Sequence, residues 1–61
     1  MSKKDYIAIA REFNIQLALH ADSKPACTAL REIAQALAIQ FKQDNPRFDR
    51  ERFLDACGFG G

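Results

Sequence analysis

DNPRFDRERFLDACG, residues 44–58, carries the clearest structural signals in this 61-residue chain. Pro46 cannot continue a helix and biases the residue before it away from helical backbone, so the long apolar pattern upstream must end just before it. Asp49 suits an N-cap, and Gly58 suits the left-handed position just past the end of a helix. The segment therefore predicts a helix stop, a fixed corner and a short capped helix over residues 50–57.

Two phenylalanines lie on either side of the predicted N-cap. Phe48 directly precedes Asp49 and Phe53 follows it by four residues, which is the spacing of a hydrophobic staple. We expect the two rings to touch and to fix the angle at which the chain enters the last helix. Truncating Phe48 is therefore expected to cost stability.

Two longer helices are predicted before this corner. The first covers about residues 3–20, with an apolar row at helical spacing made of Tyr6, Ile9, Ala10, Phe13 and Leu17. The second covers about residues 24–43, with a row made of Ala26, Leu30, Ile33, Ala34, Leu37 and Phe41. No alternating strand pattern competes. We expect a single all-α, three-helix domain over residues 1–61, in which helices 1 and 2 form an antiparallel hairpin that helix 3 closes at one end.

Size and charge limit the classes of function. Nine Lys and Arg residues against eight Asp and Glu residues give a net charge of +1, and interleaved signs create no broad field for a polyanion. The apolar runs are far shorter than the roughly 20 residues that span a bilayer. We expect a cytoplasmic protein without a membrane partner, and a thin core of this size favours a homodimer.

Three residues could act as soft metal ligands, namely His20, Cys27 and Cys57. The paired spacings typical of zinc sites are missing, and His20 is the sole candidate base for a cysteine nucleophile. We therefore expect no metal, no cofactor and no catalytic residue, and we do not expect an enzyme. Both cysteines suit small apolar positions, although the sequence leaves open whether they pair.

Three arginines at the corner, Arg47, Arg50 and Arg52, allow two interpretations. Their guanidinium groups could form a clamp for phosphates or carboxylates, or anchor a protein interface. Alternatively, the neighbouring acids could neutralise them, these being Asp44, Asp49, Glu51 and Asp55. The short link between helices 2 and 3 also suggests a helix-turn-helix, so a small nucleic-acid-binding regulator is the alternative function. A two-turn helix 3 that spends its apolar residues on packing argues against it.

A second apolar row lies on helix 1, nearly opposite its core face. It consists of Ala8, Ile15 and Leu19, with Ile7 and Ile39 near it in pattern. A two-helix contact leaves this row uncovered, and aligned exposed apolar residues commonly mark an interface, although helix 3 could instead bury it. We expect a non-enzymatic protein–protein interaction module that dimerises or occludes a partner, with a candidate interface of Ala8, Ile15, Leu19, Arg47, Arg50 and Arg52.

Both ends of the chain resemble a family of short proteins encoded by tailed phages and prophages. The similar segments are MSKKDYIAIA and NPRFDRERFLDACGFG, since that family opens with K-K-D-Y and closes with N-P-R-F-D-R-x-R-F-L-x-A-C. The resemblance implies a bacterial cytoplasm during infection or lysogeny. Many small proteins in that setting occlude a host or phage protein, including components of defence systems. It brings no activity, cofactor or site residue with it.

Overall fold

The computed structural model describes residues 2–59, and this part of the chain forms three α-helices. Helix α1 spans Lys3–Leu19, α2 spans Lys24–Asp44 and α3 spans Arg50–Cys57. The predicted all-α, three-helix domain is confirmed. Helix α1 ends one residue earlier than expected and α2 ends one residue later, while α3 has the predicted bounds.

Local side-chain bonds hold the first turns of α1 and α2. The Asp5 carboxylate accepts hydrogen bonds from the Ser2 backbone N–H at 2.9 Å and from the Ser2 hydroxyl at 3.1 Å. These two bonds hold the pKa of Asp5 below its ordinary value. At α2, the Ser23 hydroxyl oxygen accepts from the Ala26 backbone N–H at 3.4 Å, and Pro25 lies in the first turn, where its missing N–H is not needed.

The first two helices run antiparallel. Near the start of α1, the Tyr6 ring lies 5.0 Å from the ring of Phe41, close to the end of α2. At the opposite end, the Cys27 thiol donates to the His20 carbonyl oxygen at 3.3 Å. Contacts at both ends pair the start of each helix with the end of the other, which defines an antiparallel hairpin.

The core lies where α3 meets the hairpin. Its fully buried members are Ala10, Ala34, Ala38, Phe48, Phe53 and Cys57. The three alanines carry short side chains where α3 packs on the hairpin, which lets α3 approach the two long helices closely. Four aromatic rings cover this end of the molecule, and the centroids of neighbouring rings lie 4.6 to 5.6 Å apart. The rings belong to Tyr6, Phe41, Phe48 and Phe53. The Phe48 and Phe53 rings are in contact at 5.6 Å, as the staple spacing predicts.

Helix α3 packs against both long helices and most extensively against α1. The Asn14 side-chain amide donates to the Ala56 carbonyl oxygen at 3.3 Å, which ties the end of α3 to the middle of α1. Gly58 has φ 104°, and its N–H donates to the Asp55 carbonyl. The Phe59 N–H donates to the Leu54 carbonyl at 2.9 Å, so the two bonds together form a Schellman cap.

Burial is concentrated at one end of an elongated molecule of 35 × 18 × 18 Å. No residue from 11 to 33 is buried, although this segment includes half of each long helix. Ile33 belongs to the apolar row predicted for helix 2, but it is 52% exposed. The physical reason is that α3 covers the side of α2 that carries Ala34 and Ala38, and Ile33 is turned about 100° away from Ala34.

Candidate functional site

The turn between α2 and α3 is held by a lysine that sequence reasoning missed. The Lys42 ammonium donates to the carbonyl oxygen of Pro46 at 2.6 Å and to that of Phe48 at 3.2 Å. Cations in the last turn of a helix commonly bond nearby free carbonyls, so the position of Lys42 four residues before Pro46 was the available signal. This bridge fixes the backbone that presents Phe48 to the core.

Two acceptor side chains complete the turn. The Asn45 amide oxygen accepts from the Arg47 backbone N–H at 3.1 Å, and the Asp49 carboxylate accepts from the Arg52 backbone N–H at 3.1 Å. The second bond makes Asp49 the N-cap of α3. The guanidinium groups of Arg47, Arg50 and Arg52 lie on exposed residues. The corner therefore uses Asp49 for backbone capping and presents its positive charges to solvent.

A hollow of about 500 Å³ lies between the start of α1 and the corner. Its buried surface comes from Ala10, Phe48 and Phe53, and Ile7, which is 52% exposed, stands beside it. Other residues line its remaining wall and its edge, namely Lys3, Tyr6, Asn45, Arg47, Asp49, Arg52 and Ala56. The hollow is thus apolar at its base and positively charged along much of its edge.

A second hollow of about 430 Å³ continues along α1. It shares three residues with the first, namely Ile7, Ala10 and Ala56. Its other lining residues are Arg11, Asn14, Ile15 and Ala18. The two hollows are neighbours along α1, and we call the surface between α1 and α3 that they occupy the α1–α3 groove. It extends along α1 from Lys3 to Ala18, about 22 Å at the rise of an α-helix.

The predicted second row of helix 1 is divided by this arrangement. Ile15 is 43% exposed and lines the groove, whereas Ala8 and Leu19 are exposed outside the residues that line it. Ile7 lines both hollows, while Ile39, which is 46% exposed on α2, lines neither. The position of α3 decides which of these residues border a groove. The spacing of apolar residues within one helix does not reveal where another helix packs.

The three soft metal ligands do not gather. At the hairpin turn the Cys27 thiol contacts the backbone carbonyl of His20, while Cys57 lies in the core at the end of α3. Within residues 2–59 no group of three or more His, Cys, Asp or Glu side chains is placed to hold a metal ion, and both thiols are free. Burial raises the pKa of Cys57 to about 11, which keeps it in the thiol form that is a poor nucleophile.

None of the helices in the described range is long and apolar enough to cross a bilayer. The geometry thus offers one extended feature that combines a concave apolar surface with charge, the α1–α3 groove. A scan against protein-family models and searches of curated proteins and of solved structures each found no match for this chain.

Proposed function

We propose that this chain is a non-enzymatic protein-interaction module whose α1–α3 groove binds an apolar helical segment of a partner protein. The observation that carries the proposal is the combination of a buried aromatic base, formed by Phe48 and Phe53, with exposed cations along the edge. Helix-in-groove recognition uses this arrangement, because apolar anchors fill the groove and charges at its edge set the orientation.

The dimensions of the groove suit a helix. A length of about 22 Å accommodates about four helical turns. The two hollows, of about 500 and 430 Å³, have room for several apolar side chains of a bound helix. Ile7 and Ile15 stand eight residues apart on α1 and are both half exposed, so each can contact the bound helix at a different turn.

The charge of the groove selects the partner. Lys3, Arg47 and Arg52 are exposed where the groove begins, and the Asp49 carboxylate that lines the same hollow is engaged as the N-cap of α3. Guanidinium groups form bidentate hydrogen bonds with carboxylates. The partner segment is therefore an amphipathic helix with acidic residues next to its apolar face.

The resemblance at both ends of the chain gives this proposal a biological setting. In a bacterial cytoplasm during phage infection or lysogeny, a module that covers a helical surface on a host or phage protein would block its normal contacts. An enzyme or regulator of a bacterial defence system is one class of target. Such inhibition requires no catalysis.

The proposal is tested by capture from lysates of phage-infected bacteria with matched variants. Ile7→Glu places a carboxylate in the groove, and Ile39→Glu is the control because Ile39 is similarly exposed, at 46% against 52%, on a different helix. We expect the wild type and the Ile39→Glu variant to capture a protein that the Ile7→Glu variant does not capture. Its affinity, measured by calorimetry with the purified partner, should fall with added salt and in Arg47→Ala.

Two outcomes would overturn the proposal. One is a captured protein that Ile7→Glu and Ile15→Glu retain as fully as the wild type does. The other is recovery of no specific protein by the wild type across hosts that support the related phages. Circular dichroism of each variant ensures that a loss of binding is not a loss of folding.

Exposure of all three corner arginines favours nucleic acid as the second candidate partner. A small regulator would use Arg47, Arg50 and Arg52 to contact phosphates, giving duplex DNA binding that weakens steeply with salt. Helix α3 is only eight residues long and exposes the acidic side chains of Glu51 and Asp55, which makes it a poor helix for reading a groove of DNA. A gel shift at low salt with the triple Arg→Ala variant as control separates the two candidates, and absence of any shift removes this one.

A further inference from the structure

We infer that the first hollow of the α1–α3 groove is a binding site for a small amphiphilic anion, namely a long-chain carboxylate. Such a ligand joins an apolar chain to one negatively charged head group. The hollow belongs to the groove of the proposed function, so a bound carboxylate would compete there with a partner helix. Binding of the carboxylate itself needs no partner protein, and the inference is therefore tested on the purified chain alone.

The hollow has the size and lining of a small-molecule site. Its volume of about 500 Å³ lies within the range of roughly 300–1,000 Å³ that is common for ligand pockets, which are mostly apolar with a few polar groups. The side chains of Ala10, Phe48 and Phe53 form its base, and all three belong to the buried core cluster. Packing in the core holds this base in place before any ligand arrives.

The two helices that border the hollow begin at the same end of it. Phe48, just before α3, contacts Tyr6 near the start of α1, and the two ring centroids are 4.6 Å apart. Farther along the groove, Ala56 near the end of α3 accepts a hydrogen bond from Asn14 in the middle of α1. Helices α1 and α3 therefore run in the same general direction away from the corner.

Each of these helices places a cation one turn before an apolar residue of the hollow. Lys3 precedes Ile7 by four residues on α1, and Arg52 precedes Ala56 by four residues on α3. Four residues correspond to about 6 Å along a helix axis. Both cations thus lie nearer the corner, and both apolar side chains lie nearer the second hollow. A ligand with its head group at the corner and its chain directed toward the second hollow matches this order.

The charges of the hollow favour an anionic head group. Lys3, Arg47 and Arg52 line the hollow together with a single carboxylate, that of Asp49. This carboxylate already accepts the Arg52 backbone N–H at 3.1 Å. Guanidinium groups bind carboxylates through two parallel hydrogen bonds, which gives a carboxylate head group an advantage over a neutral or cationic one.

An NMR titration with dodecanoate, kept below its micelle concentration, tests the site. We expect the amide signals of Ile7, Arg52 and Ala56 to shift until they saturate, while those of residues 24–33 stay in place. Tyr6 lines the hollow and is the single tyrosine of a chain without tryptophan, so its fluorescence gives the dissociation constant independently. Dodecyltrimethylammonium, which has a similar chain and a cationic head group, should bind at least roughly tenfold more weakly.

Two matched pairs of variants separate the contacts of the head group from those of the chain. Arg52→Gln should raise the dissociation constant for dodecanoate roughly tenfold, as expected for loss of a charged hydrogen bond. Arg31→Gln, at an exposed arginine of α2 that does not line the hollow, should leave the constant unchanged. Ile7→Ala should weaken binding and Ile39→Ala should not, because only Ile7 lines the hollow. All four residues are exposed, so the variants should fold.

Several results would overturn the inference. They are absence of saturable binding, signal changes centred on the hairpin turn, equal affinity for dodecanoate and dodecyltrimethylammonium, and equal affinity of Arg52→Gln and Arg31→Gln for dodecanoate. Sedimentation of the chain with phosphatidylglycerol vesicles without binding of monomeric dodecanoate would also overturn it, because the cations would then serve a lipid surface. Failure to capture a protein from lysates, by contrast, bears on the proposed function alone.

Discussion

The two ends of this molecule differ in packing although both are built from the same two helices. At the corner end, where α3 joins the hairpin, Phe48 and Phe53 are buried and their rings are in contact. At the hairpin end, residues 11–33, no side chain is buried. The apolar periodicity of α1 and α2 is continuous through both ends. Periodicity therefore marks the surfaces that helices present for packing, and burial additionally requires a third element.

This difference separates folding from recognition within one small chain. The corner end supplies most of the apolar contacts that hold the domain together, since all six fully buried residues of the described range belong to its core cluster. The hairpin end exposes large apolar side chains, namely Ile15, Leu19 and Ile33. The α1–α3 groove begins at the corner and extends toward the hairpin end, so it joins a rigid base to an open surface.

Phe48→Ala is the strongest way to test the contrast. Truncating a buried aromatic ring costs about 3–5 kcal/mol, comparable to the whole stability expected of a domain this size. Leu19→Ala at the hairpin end should cost within about 0.5 kcal/mol, because Leu19 is 67% exposed. Urea denaturation followed by circular dichroism measures both. Equal losses in the two variants would show that the hairpin end contributes as much packing as the corner end.

The corner end was largely predictable from sequence because its determinants are local. The N-cap, the staple and the glycine cap each depend on residues within a few positions, and the bonds of Asp49 and the contact of Phe48 with Phe53 have the expected form. The hydrogen bonds of Lys42 were not predicted, because they reach across the turn to the carbonyl oxygens of Pro46 and Phe48. A lysine near the end of a helix can also remain in solvent or pair with an acid, so its position alone does not identify these acceptors.

The surfaces were less predictable because they depend on where α3 packs. Ile33 matched the core pattern of α2 but faces solvent, since α3 covers only one side of that helix. Ile15 and Leu19 belong to one row in the sequence, yet only Ile15 lines the groove. Two helices with several apolar rows can pack in more than one rotation about their axes, and the choice depends on the third helix.

The two cysteines report on the two ends through their reactivity. Cys27, at the hairpin turn, is partly exposed, whereas Cys57 is fully buried in the core. Burial raises the pKa of Cys57 from 9.0 to about 11, and two units correspond to roughly a hundredfold smaller thiolate fraction at neutral pH. With Ellman reagent we expect one thiol to react rapidly and a second to react roughly a hundredfold more slowly or slower still. Cys27→Ala should abolish the rapid reaction, and Cys57→Ala should abolish the slow one. Two equally fast thiols in the folded protein would contradict the burial of Cys57.

The same raised pKa gives the stability a pH dependence. Folding favours the neutral thiol, so the contribution of Cys57 is fully present below pH 9 and is lost as the pH rises toward 11. Cys57→Ala should therefore show a shallower fall in unfolding free energy over this interval than the wild type. Lysine and tyrosine titrations are common to both proteins and cancel in the comparison.

Gly58 marks the border between the two ends, and its substitution is expected to cost less stability than Phe48→Ala. Its φ of 104° is left-handed, and an added Cβ would lie 3.0 Å from the Leu17 side chain of α1. Gly58→Ala should cost about 1–2 kcal/mol, while Gly58→Asn should cost less in backbone strain because asparagine tolerates this conformation better. A double-mutant cycle with Leu17→Ala separates the two causes. If backbone strain alone acts, Gly58→Ala costs the same free energy of unfolding in the Leu17→Ala background as in the wild type. A smaller cost in that background would show that Leu17 packs tightly against the end of α3. The well-packed core would then extend one turn further along α1.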